Sequence, residues 1–91
     1  MNKQVRKELS SLVTRLQTCK TEVDDLKDQV STIQIDQEEI LSNIPENLQT
    51  SDRYDRQEEA TENLADALEE LEDAVDNLER AVTHIESAIQ A

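Results

Sequence analysis

Nine apolar residues in the first half of the chain, Val5, Leu9, Leu12, Leu16, Cys19, Val23, Leu26, Val30 and Ile33, follow one another at alternating steps of four and three. Gln37 interrupts the series, and Ile40 and Ile44 resume it. An α-helix turns through almost two full circles in seven residues, so this spacing draws one continuous stripe along a helix. Leu9, Leu16, Val23, Val30 and Gln37 take heptad position a, and Val5, Leu12, Cys19, Leu26, Ile33 and Ile40 take d. The second half repeats the pattern with Leu68, Val75, Val82 and Ile89 at a and Leu64, Leu71, Leu78 and Ile85 at d. Its heptads are nearly literal copies, "ALEELED AVDNLER AVTHIES AIQA", and Ala60, Ala67, Ala74, Ala81 and Ala88 all fall at g.

Composition supports rods over a globule. The 91 residues include no Gly, Trp or Phe, and only one Pro and one Tyr. A small β or α/β domain would need glycine at turns and aromatic bulk in its core. Charged residues (34%) and hydrophobic residues (35%) are balanced in a way that also suits a disordered chain. A disordered chain has no reason to hold a heptad phase over five repeats, so the arrays predict helices.

The one break lies at "NIPENLQTSDRYDR", residues 43–56, which holds both Pro45 and Tyr54. Ile44 is biased away from the helical region by the proline after it, and Pro45 lacks the N–H a continuing helix needs. "PENLQ" suits a short helical turn. Ser51 suits an N-cap, with Asp52, Asp55, Glu58 and Glu59 at the positive end of the helix that follows. The chain therefore reads as one all-α domain, residues 1–91, with helix 1 over about 4–43, a connector over about 44–50 and helix 2 over about 51–90. Each helix is about 60 Å long at 1.5 Å per residue.

Two equal helices with a short break predict an antiparallel two-helix coiled-coil hairpin. Folding the chain about Asn47 opposes residues whose numbers add to 94: Val5 with Ile89, Cys19 with Val75, Gln37 with Gln57, Ile40 with Tyr54. Every layer then joins an a to a d, and the two polar interruptions coincide. Arg6, Lys20 and Lys27, at e of helix 1, face Glu58, Glu72, Glu79 and Glu86, at e of helix 2. A parallel dimer of long helices is the alternative, and it would bring Cys19 against its twin.

A lone hairpin leaves one side of its seam wet. The alanine stripe at Ala60, Ala67, Ala74, Ala81 and Ala88 widens the apolar face of helix 2 and admits another backbone. Self-association into a homodimeric four-helix bundle is expected.

The net charge is −13, and residues 44–91 carry fourteen acidic and three basic groups. Such a surface repels nucleic-acid phosphates, so direct DNA or RNA binding is not expected. The N-terminal segment lacks the apolar run of a signal peptide, and no stretch has the length of a membrane span, so a cytoplasmic chain without membrane contact is expected. One cysteine gives no disulfide framework. His84, at c, has no second histidine for a metal or catalytic pair, and Cys19 reads as a small buried hydrophobe at d. No catalytic residue, cofactor or metal is expected. Candidate partner contacts are Ile35, an apolar residue at f; Arg53, Tyr54 and Arg56 at the turn; and Asp66, Glu69, Glu70, Asp73 and Asp76, which with Glu62 crowd the outer face of helix 2.

The second half also resembles a group of small, largely uncharacterised bacterial and phage proteins with an I/L-P-E-N-L-Q turn, an S-x-R-Y motif and acidic heptads led by alanine. Ile44 to Gln49, then Ser51, Arg53 and Tyr54, and then the alanine heptads carry the likeness. It implies a phage or mobile-element origin and transfers no catalytic residue. Two functional expectations follow. One is a non-enzymatic, self-associating helical module that binds other proteins. The other is an acidic mimic of nucleic acid that inhibits a nuclease, of anti-CRISPR type, or a DNA-binding regulator.

Overall fold

The computed structural model describes residues 1–91. Helix α1 spans Lys3–Ser42 and helix α2 spans Asp52–Gln90, with a single 3-10 turn at Glu46–Leu48 between them. The two long helices pack on each other as a hairpin 69 Å long and about 15 Å across. Both ends fall within a residue of the expected boundaries. No helix is long and apolar enough to cross a membrane.

Local chemistry explains each terminus. Asn2 caps α1, its side chain accepting from the Val5 N–H at 2.8 Å. Ahead of Pro45, α1 stops at Ser42, and the Asn43 N–H still bonds back to the last turn. Pro45 is extended, at φ −57° and ψ 143°, and its carbonyl accepts from the Leu48 N–H at 2.8 Å to form the 3-10 turn. Ser51 then caps α2 as the spacing predicts. Its Oγ accepts from the Tyr54 N–H at 3.1 Å and donates to the Leu48 carbonyl at 2.7 Å, joining turn to helix.

Register follows the polar layer. Gln57 Nε2 donates to Gln37 Oε1 at 2.6 Å, and Ile40 and Tyr54 line one cavity beside it. Opposed residues therefore add to about 94, as the fold about Asn47 predicts.

The facing sides differ from expectation on one helix. On α2 the a and d residues meet α1, and Thr61, Val75 and Val82, all at a, are buried. Helix α1 is turned by roughly 50° about its axis, so that it meets α2 with a and e. Its buried residues, Val13 and Gln34, both lie at e. The expected a-to-d layers thus fail on α1: Val5, Leu12, Leu26, Ile33 and Ile40 are 36–51% exposed, and Cys19, expected to be buried against Val75, is exposed. The apolar sector of α1 reaches past a and d at Val13 and Leu41, both at e, while Arg6, Lys20, Lys27 and Gln34 fill the other e positions. One partner helix covers only two of these three positions. Lys20 and Lys27 lie half-buried at e, where their aliphatic stems can pack while their ammonium groups stay wet.

Shortening Val82 or Val75 to alanine removes two buried carbons and is expected to lower the unfolding free energy by about 1.5 kcal/mol. Leu26→Ala on a dilute, monomeric hairpin is expected to cost well under half as much. Urea unfolding of the three variants checks the rotation of α1, since equal losses would place Leu26 in the seam.

Candidate functional site

The rotation of α1 gives the hairpin two unlike sides. Around a helix, d and g are neighbours, as are a and e. The e side holds the one ion pair between helices, Lys20 Nζ to Glu79 Oε1 at 2.9 Å. The Glu79 hydrogen bond, and then its charge, hold the Lys20 ammonium above its ordinary range; the same bond and charge hold the Glu79 carboxyl below its own. Of the ladder expected along this edge, only that pair forms. Lys27 turns back to Asp24 at 3.8 Å, and Arg6 donates to the Ala91 carbonyl at 3.2 Å. Glu86 and Glu58 lie across from Val13 and Leu41, which have no charge to offer.

The opposite side is apolar. The d residues of α1 form a stripe from Val5 to Ile40, about 50 Å long. Across the groove lie the d and g positions of α2. An open cavity of about 410 Å³ between Leu12, Leu16 and Cys19 of α1 and Ile85 of α2 lies on this face, toward the end that holds the chain termini, with Arg15 at its rim. Of the alanines proposed for self-association, Ala74 and Ala81 are half-buried, and Ala60, Ala67 and Ala88 are exposed. The residues next to the alanines at c of α2 are Arg56, Asn63, Glu70, Asn77 and His84, with a single acid among them. Most of the acidic groups of α2 stand at b, e and f, turned away from the apolar face: Asp55, Glu62, Glu69 and Asp76 at b, and Glu59, Asp66 and Asp73 at f.

The other predicted contacts separate. Asp66, Glu69, Glu70, Asp73 and Asp76 are exposed and lie within 4 Å of no cation. Ile35 is exposed on the far side of α1 from the stripe and joins no cluster. Arg53 and Tyr54 come together at the turn, where Ile40, Ile44, Pro45 and Leu48 complete a cavity of about 440 Å³, while Arg56 stands outside it. His84 is exposed. It lies level with Ser10, nine residues and roughly 13 Å along the rod from the level of Cys19. No three His, Cys, Asp or Glu side chains converge where they could hold a metal ion.

The exposed surface missed in the sequence is formed by the d positions of α1, assigned there to the seam. Val13 and Leu41 were the available signal, because apolar residues out of the four-three phase widen the sector beyond what one neighbour can cover. No protein-family model, curated protein or solved structure matches the chain.

The Lys20–Glu79 pair predicts a pH window. Glu79 is lowered, so its contribution is complete above the ordinary carboxylate range and fades as pH falls through its lowered value. Lys20 is raised, so its contribution is complete below the ordinary lysine range and fades as pH rises through its raised value. Glu79→Gln is expected to be less stable than the parent between those ranges and equal to it at both extremes, as urea unfolding at stepped pH would show.

Proposed function

We propose that the protein is a non-enzymatic helical interaction module that associates with itself and binds other proteins through the apolar face of α1. The supporting observation is the uncovered d stripe. Five large side chains stand in water although the chain buries only five residues, none of them completely. Exposed apolar area of this length, bordered by polar residues, marks a protein-binding surface. A solvated rod would carry charge at those positions. A phage or mobile-element setting for such a module is part of this proposal and rests on the sequence of the turn and the alanine heptads alone. The module is expected to sediment as a homodimer at micromolar concentration, and Leu26→Asp or Ile33→Asp is expected to return it to a less helical monomer. A parent chain that stays monomeric throughout that range overturns the reading.

A second reading rests on the other side of the rod. The carboxylates at b and f of α2 are exposed and largely unpaired, forming a ridge of charge opposite the apolar face. Such a ridge suits the basic groove of a nuclease or DNA-binding regulator, in the manner of a nucleic-acid mimic. The two readings differ in salt response, because charge-driven binding weakens steeply as salt rises and apolar docking does not. If the mimic reading holds, changing Asp66, Glu69, Asp73 and Asp76 to their amides abolishes inhibition of the target and leaves self-association intact.

A further inference from the structure

We propose that the uncovered face is filled by a second copy of the chain lying with its turn at the same end, so that each α1 packs against the partner's α2. This rests on the self-association reading above and specifies its geometry.

The hairpin has more exposed surface than a compact chain of its mass. The hairpin exposes 6862 Å², against roughly 5,400 Å² for a compact folded chain of its mass. Its radius of gyration is 20.3 Å, against roughly 12 Å for a compact domain of this length. The excess of roughly 1,500 Å², summed over the whole rod, leaves room for the roughly 800 Å² that each partner buries in a standard stable interface. An occupant must also match a stripe about 50 Å long in heptad phase, and this chain contains such a helix.

Closed pairs of identical chains have a twofold axis, and two axes bring these faces together. An axis running along the rod keeps both turns at one end and sets α1 over the partner's α2. An axis crossing the rod puts the turns at opposite ends, with α1 over α1 and α2 over α2. Charge separates the two. Helix α2 carries thirteen acidic and three basic residues, and α1 carries eight and six. The crossing axis makes the two strongly acidic helices neighbours, whereas the axis along the rod places them diagonally with α1 between them.

Register sets which side chains would meet. An axis along the rod permits no sliding, so levels between copies are those within one hairpin. Val5 then lies level with the partner's Ala88, Leu12 with the partner's Ala81, Cys19 with the partner's Ala74, Leu26 with the partner's Ala67 and Ile33 with the partner's Ala60. These pairs add to 93, one residue from the register that Gln37 and Gln57 set. Large side chains of α1 thus meet the small residues of α2, which fills space evenly along the bundle. At the rim, Asp36 lies beside the partner's Arg56, and Glu22 beside the partner's Glu70.

The test is a spin-label distance across the dimer. Thr50 is exposed at the turn, and Thr50→Cys on a Cys19→Ala background gives one labelled site per chain. Sedimentation first establishes the assembly state of the labelled protein. A dimer with a label-to-label distance of roughly 20–30 Å, two to three helix diameters, is the expected result. A dimer with a distance approaching the 69 Å length of the rod overturns the shared-end arrangement and leaves self-association standing. A parent chain that sediments as a monomer overturns both. As a second measurement, Ala67→Leu is expected to weaken the dimer at least tenfold, and adding Leu26→Ala to the same chain to restore it. Failure of that restoration overturns the register.

Discussion

One helix can cover only part of a wide apolar sector, and the rest of this structure depends on that mismatch. Helix α1 is apolar at a and d and, at Val13 and Leu41, also at e, whereas α2 meets it with a and d. Turning α1 toward e buries Val13 and Gln34 and lets Lys20 reach Glu79. The same turn leaves Val5, Leu12, Leu26, Ile33 and Ile40 in water. The exposed stripe is thus a consequence of how the hairpin gains its own contacts.

Register has a separate origin. Apolar heptads tolerate a slide of seven residues, because each heptad position then meets the same position as before. The Gln57-to-Gln37 bond does not tolerate it, since a slide would set each amide against apolar side chains. The turn enforces the same answer locally. Pro45 halts α1, Ser51 starts α2, and its hydroxyl ties the new helix to the Leu48 carbonyl. Two devices on different length scales therefore agree, as a single well-defined pairing requires.

Charge follows the division between the two sides. The neutral residues Asn63 and Asn77 border the alanine stripe, and the carboxylates gather on the far side of α2. A rod with −13 net charge resists aggregation through its exposed stripe. In the interaction module proposed above, that charge reserves the apolar face for a partner of matching length and phase.

The sequence by itself determined two long helices, their boundaries, the caps at the turn and the pairing of Gln37 with Gln57. All of these follow from interactions within a few residues or from a strict repeat, which chain order displays. Only the tertiary structure decided the rotation of α1, the exposure of Cys19 and the single ion pair at Lys20. A heptad pattern shows which residues are apolar, but not which edge of a three-position sector a neighbour will cover. That choice is a competition between the shapes and charges of both helices once they are side by side. Val13 and Leu41 hinted at it; the packing of Val75 and Val82 settled it.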